Sequence, residues 1–344
     1  MILRRRRRSP APVLVTLGIA VGLALAGCTD PSSSNTADVG ERQAPETWPL
    51  TGLRSGSDSA AKDHPVLVLK LDNTASSAPQ QGLSSADLVV EELVEGGVTR
   101  LAVFFYSRTP GVVGPVRSMR ASDIGIVSPV DATMVTSGAA AQTITRLRRA
   151  DVPYVTEGSA GFFREAARRA PYDLMADLGD VAEALRVDDA VRPPDYLPFG
   201  PARRLPAGQP ATSFDVRFSS AHTTSWSYDD EGERVGYVDT GSLAATGDEF
   251  PADSVLVLRV KVGDAGYRDP AGNTVPETKL VGEGAAQLFH AGRVVPGTWS
   301  KSTLDSPLRL TRTTPQGEVE LAVPPGRTWI ELVPMATGGV DVSP

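Results

Sequence analysis

The chain has 344 residues and a formal charge of −7, from 34 lysines and arginines against 41 aspartates and glutamates. That balance argues against a general nucleic-acid binder, which would carry a basic footprint, and the single cysteine leaves no partner for an intrachain disulfide and no cysteine metal site. The length suits two domains or one large one, and 33 glycines with 28 prolines fit many turns between short strands.

The N-terminus reads as an export signal over residues 1–27. Arg4 to Arg8 form a basic n-region, an apolar stretch runs from Val13 to Ala26, and Ala26-Gly27 place small residues before Cys28. The apolar run is shorter than the roughly 20 residues of a comfortable bilayer span. Leu25-Ala26-Gly27-Cys28 is similar to the bacterial lipobox, which implies cleavage before Cys28 and a lipid on its thiol. The expected location is the outer face of the cytoplasmic membrane, where two or three acyl chains anchor stably and one is marginal. Loss of the leader removes Arg4 to Arg8 and takes the charge from −7 to −12. Residues 28–60 are rich in Ser, Thr, Asp, Pro and Gly and read as a flexible tether.

Residues 61–200 read as an N-terminal mixed α/β domain. Strands are expected over 65–71, 87–91, 98–106 and 132–137, from their apolar, β-branched and aromatic content. Gly96-Gly97 would turn the second into the third as a hairpin. Helices are expected over about 118–128, 140–150, 160–170 and 178–186. A proline-rich break over 193–210 then leads into a β-rich C-terminal domain, residues 201–344, with strands expected over 213–218, 224–228, 255–262, 286–290, 308–312, 318–323 and 329–333. The fold class is therefore α+β, an α/β domain packed with a β-rich one. Trp226, Trp299 and Trp329 fall on strands, either as core anchors or as a sugar-stacking surface.

Two segments concentrate chemistry. The first is Glu91-Glu92-x-x-Glu95-Gly-Gly-x-Thr99-Arg100, and the second is Gly114-Pro-Val-Arg117-Ser118-x-Arg120-x-x-Asp123. A turn leading into Arg117, Ser118 and Arg120 at a helix start suits an anion, because backbone N–H groups and the helix dipole favour negative charge. Guanidinium forks bind carboxylate or phosphate in a bidentate way. Glu91 and Glu95 would orient those arginines. Alternatively Arg100, Arg117 and Arg120 pair with Glu91, Glu95 and Asp123 in a structural network.

Enzyme signatures are sparse. His64, His222 and His290 stand in no metal-ligand spacing and read as surface or turn residues; neither a metal nor a cofactor is expected. No G-x-S-x-G elbow and no phosphate-binding G-x-x-x-x-G-K loop occurs. Glu91 and Glu95, four apart on a strand, would stand about 13 Å apart at 3.3 Å per residue, wide for a glycosidase pair.

The blocks from Pro79-Gln80-x-Gly82-Leu83 through Glu95-Gly-Gly-x-Thr-Arg100 to Gly114-Pro-Val-Arg-Ser118-x-Arg120 resemble the DUF3048 family of YerB-like bacterial lipoproteins. Phe163-Arg164 to Arg169-Ala170-Pro171 resembles a later family block. Leu280-Val-Gly-Glu-Gly284, Gly297-Thr-Trp299-x-Lys301 and Pro325-Gly-x-Thr-Trp329-Ile330 are similar to the family's C-terminal domain. The resemblance covers about 65–335 and implies a lipoprotein of two adjoining domains, without a settled activity. Tyr172-Asp173 stands where many relatives carry His-Asn, so any acid–base role of that histidine is absent here.

The expectation is a lipid-anchored binding or assembly protein of the bacterial cell envelope, with an anion site at Arg100, Arg117, Ser118 and Arg120 flanked by Glu91 and Glu95. Its partners would be the membrane, through the lipid, and an anionic wall polymer or an envelope protein, not nucleic acid. The alternative is an enzyme acting on an envelope glycan or phosphodiester with Glu91 or Glu95 as base.

Overall fold

A computed structural model describes residues 46–228, 235–238, 250 and 252–344. The leader, Cys28 and the outer part of the expected tether lie outside the described residues. In chain order the elements are β1 (Leu67–Asp72), β2 (Leu88–Leu93), β3 (Thr99–Phe105), α1 (Asp123–Val127), β4 (Thr133–Val135), α2 (Ala141–Arg149), β5 (Tyr154–Val155), β6 (Phe162–Arg164), β7 (Leu174–Ala176) and α3 (Leu178–Ala184). There follow β8 (Gln209–Pro210), β9 (Ser213–Arg217), β10 (Thr223–Tyr228), β11 (Val235–Val238), β12 (Ser254–Arg268), β13 (Thr274–Lys279), β14 (Gly282–His290), β15 (Arg293–Lys301), β16 (Arg309–Thr314), β17 (Gly317–Glu320), β18 (Thr328–Pro334) and β19 (Gly339–Ser343).

Most of these strands form one mixed sheet in the order β17-β16-β15-β14-β12-β18-β2-β3-β1-β4-β5, with β13 added to β12 and β8 to β15. The two expected domains meet inside it. β18, from the C-terminal half, lies parallel to β2, from the N-terminal half, with Thr328 opposite Leu88 and Leu332 opposite Glu92. β18 is buried along its whole length, as a strand covered on both faces must be, and its sequence Thr-Trp-Ile-Glu-Leu-Val-Pro is apolar almost throughout. The boundary near residue 200 is thus a change in sequence pattern, and the cores on both sides of the sheet draw on residues from both halves.

Side-chain alternation along the strands sorts residues onto the two faces. Val68, Val90, Ala102, Phe104, Leu258 and Ile330 pack on one face with Met119, Ile124 and Leu147 from the α1–α2 region. Leu69, Val89, Val103, Val257 and Trp329 pack on the other, against α3 and a second sheet of order β11-β10-β9-β19. Trp226, Trp299 and Trp329 are all buried, so they serve as core anchors.

The β2–β3 hairpin turns at Glu95–Gly97 as expected. Three expectations need correction. The segment 160–170 is no helix: Phe162–Arg164 pairs antiparallel with Leu174–Ala176. Gly161, at φ +82, precedes it in a left-handed conformation that glycine adopts without steric cost, and a Cβ there would come 2.4 Å from the Asp177 carbonyl oxygen. The helix expected from 118 starts only at Asp123, because the backbone before it is held to β1 through the Arg117 N–H to Lys70 C=O bond of 2.7 Å. The inner end of the expected tether, 46–60, packs on the body. Leu50 and Ala60 are buried, and Trp48 meets Tyr106 edge-on at 6.3 Å. Burial of Trp48 and Leu50 is joined by hydrogen bonds from the body, with the Tyr196 N–H donating to the Pro49 carbonyl at 2.9 Å and the Gly326 N–H to the Thr51 carbonyl at 2.8 Å.

Candidate functional site: an arginine cluster at the end of the sheet

Arg100 sits in the middle of three antiparallel strands. Its register partners are Glu92 on β2 and Asp72 on β1, and directly opposed residues share a face. Residues 115–120 cross the end of β1. The Asp72 N–H donates to the Pro115 carbonyl at 3.2 Å, and the Arg117 N–H to that of Lys70 at 2.7 Å. This crossing brings Arg117, Ser118 and Arg120 beside Arg100.

The three arginines fare differently. Arg120 is bound in a fork by Glu95, with Nε–Oε1 at 2.5 Å and Nη2–Oε2 at 2.6 Å, and donates from Nη1 to the Met119 carbonyl at 2.9 Å. Burial works against the Glu95 carboxylate, but the Arg120 hydrogen bonds and charge outweigh it and hold its pKa below the ordinary value. Arg117 lies with Nε 2.8 Å from Asp72 Oδ2, donates to the Pro171 carbonyl at 3.2 Å and stands over the Tyr172 ring at 5.3 Å.

Arg100 donates from Nη1 to the Ser118 carbonyl at 2.9 Å and has no carboxylate partner among the described residues. The acids nearest in register are committed elsewhere. Asp72 Oδ1 accepts from the Thr74 N–H and hydroxyl at 2.9 and 2.5 Å while Oδ2 faces Arg117. Glu92 takes Lys70 at 2.7 Å, and Lys70 also stands 2.9 Å from Asp123 Oδ1. Burial, and then the positive charges of Arg120 and Arg117, push the Arg100 guanidinium down to about 10. It remains a cation at neutral pH, held beside two others. The Ser118 and Ser137 hydroxyls, 3.1 Å apart, lie beside this cluster. Guanidinium with hydroxyl is a donor set for an anion.

Glu91 does not belong to this site. Adjacent strand residues point to opposite faces, so Glu92 lies on the Arg100 face and Glu91 on the other. There Glu91 is fully buried and accepts from the Thr99 hydroxyl at 2.6 Å, Asn73 Nδ2 at 3.0 Å and Trp329 Nε1 at 3.2 Å, with His222 Nε2 at 2.8 Å. Glu331, opposite it on β18, accepts from Trp226 Nε1 at 2.9 Å. Burial and the Glu91 charge push Glu331 well above the ordinary carboxylate range. Burial also disfavours the Glu91 carboxylate, but the His222 hydrogen bond and charge keep Glu91 below its ordinary value. His222, expected as a surface or turn residue, is instead a nearly enclosed partner of this carboxyl pair. Glu91 and Glu95 do not share a strand face either, since β2 ends at Leu93 and Glu95 opens a 3-10 turn.

The structure brings Arg100, Arg117, Ser118, Arg120 and Glu95 together, sets Glu91 on the other face, and adds Lys70, Asp72, Glu92 and Tyr172, to which the sequence pattern assigned no part in this cluster. Two signals were available. A lysine inside the apolar run Val66-Leu-Val-Leu-Lys70-Leu71 requires a buried partner, and two consecutive glutamates on one strand cannot face the same way.

Residues 50–191 match the DUF3048 family's "Protein of unknown function (DUF3048) N-terminal domain", and residues 214–330 match its C-terminal domain. "Putative lipoprotein YerB" of Bacillus subtilis (strain 168) is 26% identical over 298 residues, covering 83% of this chain and 86% of that protein. The crystal structure of the YerB protein from Bacillus subtilis superposes with a TM-score of 0.67 at 21% identity, over 86% of this chain and 99% of that one, a likeness of fold. With both halves matched in order and the same strand framework beneath them, the chain belongs to the DUF3048 family.

Proposed function

We propose that this is a lipid-anchored extracytoplasmic binding protein of the bacterial cell envelope, which holds an anionic group at Arg100, Arg117 and Ser118. The observation that carries this reading is Arg100. A partly enclosed guanidinium beside two others, with its neighbouring acids paired elsewhere, is electrostatically unsatisfied, and a phosphate or carboxylate would satisfy it. Arg120 and Glu95 hold the cluster in shape rather than contact the ligand. The family resemblance and the lipobox-like Leu25–Cys28 segment support placement on the outer face of the membrane. An enzyme on an envelope glycan or phosphodiester would have drawn its base from Glu91 or Glu95. Glu91 is on the opposite face of the sheet and Glu95 is held by two of the three guanidinium nitrogens of Arg120, so neither is placed to serve.

Sedimentation with purified cell-wall sacculi, with and without attached anionic polymer and at low and high salt, tests the reading. Polymer-dependent, salt-sensitive binding that disappears in folded Arg100→Gln and Arg117→Ala is the expected result. Binding unchanged in both variants removes the arginine site from the function.

A further inference from the structure

The arginine cluster continues beyond Arg117. The Tyr172 ring that Arg117 stands over also lines an open groove of about 610 Å3, walled by residues 76–81 on one side and 165–172 on the other. The walls are tied together by Arg168, which donates to the Ser77 carbonyl at 3.1 Å and the Pro79 carbonyl at 2.5 Å and pairs with Glu165 at 2.5 Å. The groove is therefore formed before any ligand arrives, which lowers the ordering cost of binding. Its next residue, Arg169, is exposed and in no ion pair among the described residues. Ser76 and Gln81 add neutral hydrogen-bonding groups.

We infer that the ligand is a linear glycosyl phosphodiester polymer, one anionic unit of which sits at Arg100 and Arg117 while the chain runs past Tyr172 to Arg169. This rests on the anion-site reading above and extends it. A small anion would need only the first pair of arginines and would leave the groove and Arg169 without a role. A guanidinium over one face of an aromatic ring at Arg117 and a second in the groove that this ring lines, at Arg169, suit an alternation of phosphate and sugar, with bidentate contacts to the phosphates and the ring beside the sugar. An acidic peptide held by strand addition is the poorer fit: that mode needs an open strand edge, whereas these walls are a 3-10 turn with the loop after it and a second turn.

The test is calorimetric titration of the full chain, lipid anchor included, in uncharged detergent. The probes are inorganic phosphate, glucosylated glycerol-phosphate oligomers of increasing length, and a single-stranded oligonucleotide of matching charge. The readout is the ratio of oligomer to phosphate affinity. Simultaneous engagement of two sites should raise that ratio to about a hundredfold, with Arg169→Ala and Tyr172→Ala each bringing it down toward one. A ratio near one in the wild type overturns the polymer inference and leaves the anion site standing. Failure of every probe to bind a protein with a native circular dichroism spectrum overturns both. An oligonucleotide that binds as tightly as the longest oligomer also overturns the inference, since the class would then be nucleic acid.

Discussion

Glu92 and Arg100 face each other across the β2–β3 ladder without pairing. Lys70, on β1, takes the Glu92 carboxylate at 2.7 Å, and the guanidinium is left to a backbone carbonyl at 2.9 Å. One lysine inside an apolar strand takes the carboxylate that register sets opposite Arg100, which is left without a carboxylate partner among the described residues. Lys70 and Glu92 are fully buried, so this arrangement depends on the whole core around them and is not a surface accident.

The fold should depend strongly on the partner of Arg120 and little on the charge of Arg100. Glu95→Ala strands the buried Arg120 cation and should destabilise the fold by about 3 kcal/mol, as breaking a buried pair does. Arg100→Gln relieves repulsion and should change stability by less than about 1 kcal/mol. Urea unfolding at neutral pH separates them. The folded pKa of Glu95 lies below its unfolded value. Its contribution is thus complete above the unfolded value near 4.5 and fades as pH falls through the folded one.

Glu331 gives the opposite pH signature. Its folded pKa is raised by burial and the Glu91 charge, so between the unfolded value of 4.5 and the higher folded value the native state binds the extra proton. Stability from this group therefore declines as pH rises through that interval. Glu331→Gln keeps an acceptor for Trp226 and supplies an amide toward Glu91 without titrating. The variant should lose the decline and be more stable than the wild type at pH 8, by about 1 kcal/mol or more. Denaturation midpoints measured from pH 5 to 9 would show parallel curves if Glu331 were ionised throughout.

Lys301 is buried on β15 beside a cavity of about 30 Å3 lined by Leu258, Leu280, Leu308 and Ile330. Its amine donates to the Ser306 carbonyl at 2.5 Å. Burial lowers its pKa from 10.5 to about 8, only partly countered by Asp305. The native state thus holds the proton less well than the unfolded chain, and stability rises with pH between those values. Lys301→Met should exceed the wild type in stability at pH 7 by about 1 kcal/mol, with the advantage shrinking toward pH 10. An advantage independent of pH would point to packing alone.

The proposed lipid anchor at Cys28 has its own test. Cys28→Ala should move the protein from the detergent phase to the aqueous phase on cloud-point partitioning and release it from washed membranes, because the remaining apolar leader is too short for a stable span. Retention of the variant in the detergent phase would mean that the N-terminal segment itself anchors the chain.

The strand candidates were legible because apolar and β-branched runs between glycine and proline turns are local signals. β1 to β4 in the N-terminal half, and β9, β10, β12, β14, β16 and β18 in the C-terminal half, lie where those runs place them. The arginine cluster was legible as a list of residue types. The helix expected over 160–170 failed because Gly161 and the pairing of Phe162–Arg164 with Leu174–Ala176 outweighed a local helical pattern.

By itself the sequence determined the leader-like N-terminus, the strand-rich character of the chain and the presence of Arg100, Arg117 and Arg120 near one another in the chain. It did not determine which acids they would meet. Glu91 and Glu92 are neighbours in sequence and lie on opposite faces of a sheet. Lys70 reaches Glu92 only because β1 and β2 flank β3, and β18 comes from more than 200 residues away to bring Glu331 to Glu91. Charge compensation inside a low-dielectric core is set by which side chains the strand order brings within a few ångströms. That order is fixed by long-range pairing, which no local pattern encodes.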